Sequence, residues 1–312
     1  MTAEEEKIGF IIKNSDNMPA FVYCWNEVQI AKAVVLIIHG MGEHAGRYRA
    51  FAEFLNKSGF IVYANDLRGH GKTAVSDNEL GYVGKDGFNK IIKDEYALAE
   101  IIRARHPGLP VFLLGHSFGS FIAQDYITRY GGSLSGVILS GSALNKGPEV
   151  MFGKLMAGFL NMLTGSRKKS KLLNEICFGS FDRALGGKTG EFKWLTRDTA
   201  EIDKYIKDKF CGFEFSNNFF YYFFKGLSAL YKPGKTRKIP LKLPVLICSG
   251  GMDPVGKCGR SVKSLYDMYR KAGLENIEIK LYKEARHEII NEINREEIFN
   301  DIIYWLNKNM GI

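Results

Sequence analysis

The sequence predicts an α/β fold with a mostly parallel central sheet, flanking helices and a helical insert. Short apolar runs alternate with segments of helical periodicity, which is the pattern of a parallel sheet. One apolar run, residues 111–114, leads into a Gly-x-Ser-x-Gly turn between Gly115 and Gly119, and helical spacing follows. About a hundred residues then separate the strand-like runs 136–140 and 244–248, far more than an ordinary connection, so something is inserted there.

The strands are predicted from short apolar runs bounded by turn-forming residues. The first two runs flank the turn-forming residues 14–17 and should pair as an antiparallel edge. The run 33–38 is continuously apolar and rich in β-branched residues, so we expect a strand that is buried on both faces. The complete set of predicted strands comprises residues 8–12, 20–25, 33–38, 60–64, 111–114, 136–140, 244–248 and 277–282.

Helices are predicted where apolar residues recur at helical spacing. A helix over residues 87–105 should stop before Pro107 and Gly108, because these residue types interrupt helices. Another should begin directly after Ser117. The remaining helices of the main domain are expected at residues 48–57, 262–272 and 295–307.

The insert is expected to form a helical cap or lid. The chain would then divide into a core domain, residues 1–145 and 241–312, and a cap, residues 146–240, that covers the carboxyl edge of the sheet. The cap begins with an apolar helical segment and a basic run, which predict either a lid resting on anionic lipid or a helix buried against the core. The aromatic run 213–224 predicts either a lipid-chain tunnel or aromatic packing within the cap.

The amino-acid composition limits the classes of protein to which the chain can belong. The chain has 312 residues, of which 46% are hydrophobic and 25% charged, so it has material for a full core and is not a disordered chain. The formal net charge of +9 fits either an anionic partner or a solvated lysine-rich surface, because the basic residues are scattered. No nucleic-acid-binding module is present in the sequence, so we expect no nucleic-acid partner.

Cysteine usage and the N-terminal segment indicate the compartment. The five cysteines are an odd number without metal-ligand spacing, which predicts neither a disulfide framework nor a zinc site. Residues 1–6 are acidic and lack the apolar stretch of a secretory signal, and the apolar run 151–164 is too short to span a bilayer. We expect a cytoplasmic protein, with peripheral contact with a membrane surface left open.

The chemistry is predicted to centre on Ser117, in the middle of the Gly-x-Ser-x-Gly turn. A serine hydroxyl needs a base and an acid that orients the base, and on this scaffold both follow the serine, the acid first. His287 is the one histidine after Ser117, and it follows the last predicted strand. Asp253 lies in a glycine-rich turn after the run 244–248 and is the expected acid, with Glu149 as the alternative.

Two backbone amides should stabilise the oxyanion that forms during acyl transfer. One is expected from Phe118, directly after the nucleophile, where the N-terminus of the new helix adds a favourable dipole. The other is expected from Met41, between two glycines in the loop that follows the run 33–38. This chemistry requires no metal and no organic cofactor.

With these residues the chain resembles the monoacylglycerol lipase and lysophospholipase branch, also described as serine aminopeptidase-like, of the α/β-hydrolases. The resemblance covers nearly the whole chain and is weakest over residues 151–171. Residues 39–44, with Arg47 and Tyr48, resemble the oxyanion loop of this branch, and residues 66–71 resemble its turn after the next strand. Residues 115–120 resemble its nucleophile elbow, the sharp strand-to-helix turn that holds the serine. Asp253 and His287, with Glu292, occupy the acid and base positions, and residues 194–198, 203–205 and 211–213 resemble part of the cap.

The resemblance implies an α/β-hydrolase fold and a serine hydrolase that cleaves carboxylic esters of acyl lipids, such as monoacylglycerols or lysophospholipids, through an acyl-enzyme. Because such a triad does not choose the leaving group, a short-chain esterase, a thioesterase or a peptidase remains an alternative. A non-catalytic protein of the same fold that binds an apolar ligand is a further alternative, which the presence of all three triad residue types disfavours. The oligomeric state is left open.

Overall fold

An eight-stranded sheet runs through the centre of the protein. The structure is a computed structural model that describes residues 9–188 and 191–310. The strands are β1 (Gly9–Lys13), β2 (Pro19–Trp25), β3 (Ala33–Ile38), β4 (Phe60–Asn65), β5 (Val111–His116), β6 (Gly136–Ser140), β7 (Val245–Gly250) and β8 (Ile277–Tyr282). Their order across the sheet is β1-β2-β4-β3-β5-β6-β7-β8.

Most neighbouring strands are parallel. The exceptions are the pairs β1–β2 and β2–β4, which form the antiparallel edge expected from the turn-forming residues 14–17. The predicted parallel sheet is thus confirmed, and the predicted strand ends differ from the observed ones by at most two residues. Ile8, which was predicted to begin the first strand, lies outside the described residues.

Nine α-helices occur within the described residues. They are α1 (Arg49–Lys57), α2 (Gly87–Arg105), α3 (Phe118–Tyr130), α4 (Pro148–Thr164), α5 (Lys171–Ala184), α6 (Thr199–Lys207), α7 (Asn217–Leu230), α8 (Arg260–Lys271) and α9 (Arg295–Lys308). The helices predicted for the main domain are all present, with ends that differ by at most two residues.

The sheet separates two hydrophobic cores. Side chains of β3 alternate between them: Val34 and Leu36 belong to one core, and Val35 and Ile37 belong to the other. Every residue of β3 is buried. The continuous apolar run was therefore a correct signal for a strand covered on both faces, because each face of the strand needs its own set of apolar side chains.

Along the chain, helices α4 to α7 follow β6 and precede β7, so they form the helical insert. Helix α4 packs closely on α7, since a β-carbon added to Gly153 would lie 2.6 Å from the ring of Phe224. The opposite side of α4 is uncovered: Leu155 is 66% exposed and Met162 is 79% exposed. One side of α4 is therefore buried, at Val150, Gly153 and Ala157, and the other side is exposed, so both alternatives for this helix stay predictions.

The chain contains no membrane-crossing helix between residues 9 and 188 or between 191 and 310, because no helix there combines sufficient length with sufficient apolar character. The acidic residues 1–6, on which the expectation of no secretory signal depends, lie outside the described residues.

Candidate active site

Ser117 lies at the sharp turn between β5 and α3. Its backbone has φ 50° and ψ −115°, a left-handed conformation that a residue with a β-carbon rarely adopts. The amide of Ser117 donates to the carbonyl of Ser140 at the end of β6, which holds the turn against the sheet. This geometry brings the serine side chain to the carboxyl edge of the sheet, where it is partly exposed.

The two glycines of the motif are required by close approach of the chain. A β-carbon at Gly115 would lie 2.4 Å from the carbonyl oxygen of Gly119, and one at Gly119 would lie 2.2 Å from the carbonyl oxygen of Ile38. Both distances are far below van der Waals contact, so a side chain at either position would displace backbone. Glycine therefore allows β5, α3 and the end of β3 to meet around Ser117.

Asp253 and His287 are in direct contact. The Nδ1 atom of His287 lies 2.9 Å from Oδ2 of Asp253, and both residues are buried. The carboxylate also accepts hydrogen bonds from the amide of Val255, 2.9 Å away, and from the hydroxyl of Ser249, 3.0 Å away. Asp253 is thus held in a single orientation, and it presents one oxygen to the imidazole.

Burial and mutual attraction set the protonation of this pair. Burial opposes the charged form of both groups, but the opposite charge of the partner and the hydrogen bond between them dominate. As a result the pKa of Asp253 is lowered, and the pKa of His287 is raised above its usual value of 6.5. The arrangement favours an ionised aspartate that stabilises the imidazolium form of the histidine.

The other ring nitrogen of His287 is available for proton transfer. Among the described residues, Nε2 of His287 has no hydrogen-bond partner although it is buried. The ring lies beside the segment that anchors the serine, because a β-carbon added to Gly141 would be 3.1 Å from Cε1 of His287. Ser117, His287 and Asp253 are therefore brought to one edge of the sheet, and their catalytic roles remain a prediction.

Glu149, the alternative acid, lies elsewhere. It is in the first turn of α4 and lines a mostly apolar cavity above Ser117. The carboxylate that contacts the histidine ring is that of Asp253. His116, which directly precedes Ser117, is buried, and burial lowers its pKa to about 4. It remains neutral and is suited to packing rather than to a second base.

The predicted oxyanion loop lies directly beside the serine. A β-carbon added to Gly40 would be 3.3 Å from the Cβ atom of Ser117, and Met41 lines the same cavity as Ser117 and Phe118. Phe118 is the first residue of α3, so its amide has no acceptor within that helix. The Gly42 carbonyl accepts hydrogen bonds from residues of the insert, which anchors the loop.

A buried ion cluster supports this loop and was not anticipated from the sequence. Arg47 donates to Glu43 at 2.7 Å and makes two hydrogen bonds of 2.7 Å to Glu288, the residue after His287. Glu43 in turn accepts from the amide of Gly40 at 2.5 Å. The cluster therefore connects the predicted oxyanion loop, residues 39–44, with the segment that carries His287. The distribution of charged residues along the sequence does not reveal that Arg47 pairs with Glu288, because the two are 241 residues apart.

Trp194 is a second residue whose position was not anticipated. Its ring centroid is 5.0 Å from that of His287, and its carbonyl oxygen accepts the amide hydrogen of His287 at 3.2 Å. The sequence places Trp194 in the insert, without any signal that it contacts the histidine. The insert thus contributes directly to the walls around the predicted base.

A cavity of about 260 Å³ lies above Ser117. Side chains from α4, α5 and α7 form most of its wall, and most of them are apolar. Its apolar lining comprises Met41, Phe118, Phe121, Val150, Phe152, Met156, Leu173, Ile176, Phe178, Phe181, Trp194, Phe223, Phe224, Leu227 and Val255. Two residues of the aromatic run 213–224, Phe223 and Phe224, line this cavity, and Phe215, Phe219 and Phe220 are buried in the core. The lipid-chain tunnel stays a prediction.

A second cavity of about 470 Å³ adjoins the first. The two share Met41, Phe178 and Trp194, but the second also has polar lining residues. These include Lys171, Asn174, Glu175, Asp182 and Glu214. The surroundings of Ser117 thus combine an apolar compartment with a more polar one.

Comparison with known proteins agrees with this architecture. The chain is 28% identical to the monoglyceride lipase homolog of Monkeypox virus over 299 residues, which cover 94% of this chain and 96% of the relative. It is also 28% identical to the monoglyceride lipase of Homo sapiens over 302 residues, covering 95% and 89% respectively. A thermostable carboxyl esterase from Bacillus coagulans superposes with a TM-score of 0.89 at 26% identity, covering 97% of this chain and 98% of the esterase.

The family model described as Serine aminopeptidase, S33, matches residues 29–294, which include the elbow, the helical insert and the segments of Asp253 and His287. The α/β-hydrolase fold and the family that the resemblance implies are both confirmed. The chain belongs to the serine aminopeptidase family of α/β-hydrolases.

Proposed function

We propose that the protein hydrolyses carboxylic esters of acyl lipids, with monoacylglycerols and lysophospholipids as the preferred substrate class. The observation that carries this proposal is the position of Ser117, on a strained turn at the floor of an apolar cavity. An acyl chain in that cavity would bring its ester carbonyl to the serine hydroxyl. The names of the similar proteins, two monoglyceride lipases and a carboxyl esterase, support the same reaction.

In the proposed reaction the Ser117 oxygen attacks the ester carbonyl while Nε2 of His287 accepts the serine proton. Asp253 holds the imidazole and stabilises its charged form. The amides of Met41 and Phe118 donate to the oxyanion of the tetrahedral intermediate. His287 then protonates the departing alcohol, and water activated by the same histidine cleaves the acyl-enzyme and regenerates the serine.

The two cavities support a substrate with an apolar chain and a polar alcohol. The apolar cavity would hold the acyl chain, and the adjoining polar cavity would receive the alcohol. The carboxyl esterase from Bacillus coagulans was solved in complex with glycerol, which is the alcohol that a monoacylglycerol would release. In this proposal residues 146–240 act as the cap that closes both compartments.

The substrate proposal is tested with p-nitrophenyl esters of increasing acyl length, a monoacylglycerol and a lysophosphatidylcholine, using the wild type and Ser117→Ala. We expect turnover that requires Ser117, increases with chain length and extends to a lipid substrate. Turnover of short esters only would contradict the lipid assignment and leave a small-ester esterase. Turnover that survives Ser117→Ala would contradict the site itself.

A peptidase or thioesterase on the same scaffold is distinguished by adding an aminoacyl p-nitroanilide and an acyl thioester to the panel. Glu149 is the carboxylate in the wall of the apolar cavity, and it is the group that a free amino terminus would contact. Preference for the anilide, with loss of that preference in Glu149→Gln, would identify an aminopeptidase. We expect the oxygen ester to be the better substrate and Glu149→Gln to retain its turnover.

We further propose that the outer face of α4 and the start of α5 rest on an anionic membrane surface. This face carries the exposed apolar side chains Met151, Phe152, Leu155, Phe159, Met162, Leu163, Leu172 and Ile176. Phe152 and Ile176 also line the apolar cavity, so the cavity opens at this face. Exposed basic residues, among them Lys168 and Lys171, lie beside it and favour anionic headgroups.

The membrane proposal is tested by sedimentation with vesicles of phosphatidylcholine alone and of phosphatidylcholine with phosphatidylglycerol. We expect binding to the anionic vesicles and its loss in the double variant Leu155→Asp/Met162→Asp. Ile30→Asp is the matched control, because Ile30 is 80% exposed and precedes β3, at the opposite edge of the sheet. Equal loss in Ile30→Asp, or no binding by the wild type, would contradict the assignment.

The five free cysteines fit a reducing compartment, and we propose a cytoplasmic location.

A further inference from the structure

Three side chains of different chemistry meet where the predicted oxyanion loop contacts the insert. Nε2 of His44 lies 2.9 Å from Oδ2 of Asp208, and the Sγ atom of Cys211 completes a group whose ligand atoms all lie within 4.8 Å of one another. His44 belongs to the oxyanion loop, whereas Asp208 and Cys211 belong to the insert, in the turn after α6. None of the three takes part in the proposed ester chemistry.

The backbone of this group is held by hydrogen bonds. The amide of Cys211 donates to the carbonyl of Asp208 at 3.0 Å, which forms a turn that presents both side chains together. The amide of Gly212 donates to the carbonyl of Gly42 at 2.9 Å, so the turn is joined to the oxyanion loop two residues before His44. The three potential ligands therefore need only small side-chain rotations to converge.

The donor set matches one class of ion. Imidazole nitrogen, thiolate sulfur and carboxylate oxygen are the three ligand types of protein zinc sites. Ligand atoms on a tetrahedral zinc ion lie about 3.3–3.7 Å apart, given metal–ligand distances of about 2.0–2.3 Å. The histidine and aspartate atoms must separate slightly, and the sulfur must approach by about 1.5 Å at most.

The local charge also admits a cation. Arg47 acts electrostatically on Cys211, but its charge is compensated by Glu43 and Glu288. The basic residues Arg49, Lys204 and Arg295 in the wall of the neighbouring pocket are likewise paired, with Glu53 and Glu201. Asp208 and a Cys211 thiolate would together supply two negative charges to the ion. A surface pocket opens onto His44 and Asp208, so water has access to a fourth coordination position.

We propose that His44, Asp208 and Cys211 form a binding site for a divalent ion of the zinc class. The ion bonds to Nε2 of His44, a carboxylate oxygen of Asp208 and the sulfur of Cys211, whose thiol proton passes to solvent, and a water molecule completes the coordination. Such an ion ties the insert to the loop that carries Met41. No local pattern in the sequence indicates this site, because His44 and Asp208 are 164 residues apart.

The site is tested with Co²⁺ as a spectroscopic probe and with Zn²⁺ as its competitor, on the full chain. We expect one Co²⁺ ion per chain, with a cobalt–thiolate charge-transfer absorption that Zn²⁺ abolishes. Cys211→Ser should lose this absorption, and His44→Gln, whose amide can still hydrogen bond to Asp208, should weaken binding by about tenfold or more. Cys258→Ser is the matched control and should behave as the wild type, because Cys258 is exposed and lies outside the group.

A second readout does not depend on a spectrum. Zn²⁺ should raise the unfolding temperature of the wild type and of Cys258→Ser, and should protect Cys211 from alkylation as measured by peptide mass spectrometry. Both effects should be absent in Cys211→Ser. Absence of the thiolate absorption in the wild type, its persistence in Cys211→Ser, or equal stabilisation of all variants by Zn²⁺ would overturn the proposal.

Discussion

Glu288 accepts two hydrogen bonds from Arg47, each 2.7 Å long, at a point where both side chains are almost completely buried. Glu288 directly follows His287, and Arg47 also binds Glu43 of the predicted oxyanion loop. Burial raises the cost of the charged carboxylate, but Arg47 more than offsets it and lowers the pKa of Glu288 to about 2. The pair therefore remains ionised and joins the two loops on either side of the serine.

Arg47→Met should destabilise the protein strongly, because it leaves two buried carboxylates without a counter-charge. We expect the free energy of unfolding to fall by about 3–5 kcal/mol, measured by chemical denaturation. Arg49→Met is the control: Arg49 is 40% exposed and pairs with Glu53 on the surface, so its loss should cost less than about 1 kcal/mol. Similar small losses in both variants would contradict the structural role of the buried pair.

Gly119→Ala should be damaging to stability and to ester turnover. The added methyl carbon would lie 2.2 Å from the carbonyl oxygen of Ile38, so α3 must move away from β3 and displace Ser117. We expect a lower unfolding temperature and a loss of turnover of about tenfold or more. Gly132→Ala is the control, because a β-carbon there meets no atom within 4 Å. Wild-type turnover in Gly119→Ala would contradict the close packing of the elbow.

The activity of the enzyme should rise with pH through the ionisation of His287. The base must be neutral to accept the serine proton, and Asp253 raises its pKa above 6.5, so kcat/KM should increase across a pKa above that value. The Asp253→Asn variant lacks the carboxylate charge that raises the pKa of His287, whereas the ring stays buried. The apparent pKa of the kcat/KM profile should therefore fall. We also expect kcat to fall by about 10⁴-fold. An unchanged pH profile in Asp253→Asn would contradict the assignment of the acid.

Glu95 should make stability depend on pH. It is buried, and burial raises its pKa from 4.5 to about 8, against the opposing effect of a hydrogen bond from Asn65. The folded state therefore favours the protonated form, and the stability that this form contributes is fully present below about pH 4.5 and is lost as pH rises towards about 8.

Glu95→Gln tests this directly, since glutamine imitates the neutral acid. Between about pH 5 and pH 8 the wild type should lose stability relative to Glu95→Gln by up to about 1.4 kcal/mol per pH unit, measured by denaturant unfolding. Glu100→Gln on the same helix is the control, because Glu100 is exposed. Parallel pH dependence of the wild type and Glu95→Gln would show that Glu95 is ionised in the folded protein.

Local signals in the sequence were sufficient for the sheet and for the position of the serine. Continuous apolar runs indicate strands such as Ala33–Ile38. Gly115 and Gly119 indicate the turn that holds Ser117, because a β-carbon at either position would collide with neighbouring backbone. Asp253 was predicted from its place after a buried strand. The structure brings its carboxylate to the ring of His287, as that prediction requires.

Contacts between distant segments could not be read from the sequence. Trp194 packs on His287 from the insert, and Glu288 pairs with Arg47 across 241 residues. Neither side chain has a local pattern that identifies its partner. The exposed face of α4 was likewise ambiguous, because an apolar helix has the same composition whether it is covered by the core or left open.

The most direct test of the central claim is covalent labelling of the serine. A fluorophosphonate with a long alkyl chain imitates the acyl substrate and becomes bonded to an activated serine, and the adduct is located by mass spectrometry of the intact protein and of its peptides. We predict one adduct per chain, on the peptide that contains Ser117, and none in Ser117→Ala. Labelling at another residue, or ester turnover without any adduct at Ser117, would contradict the account.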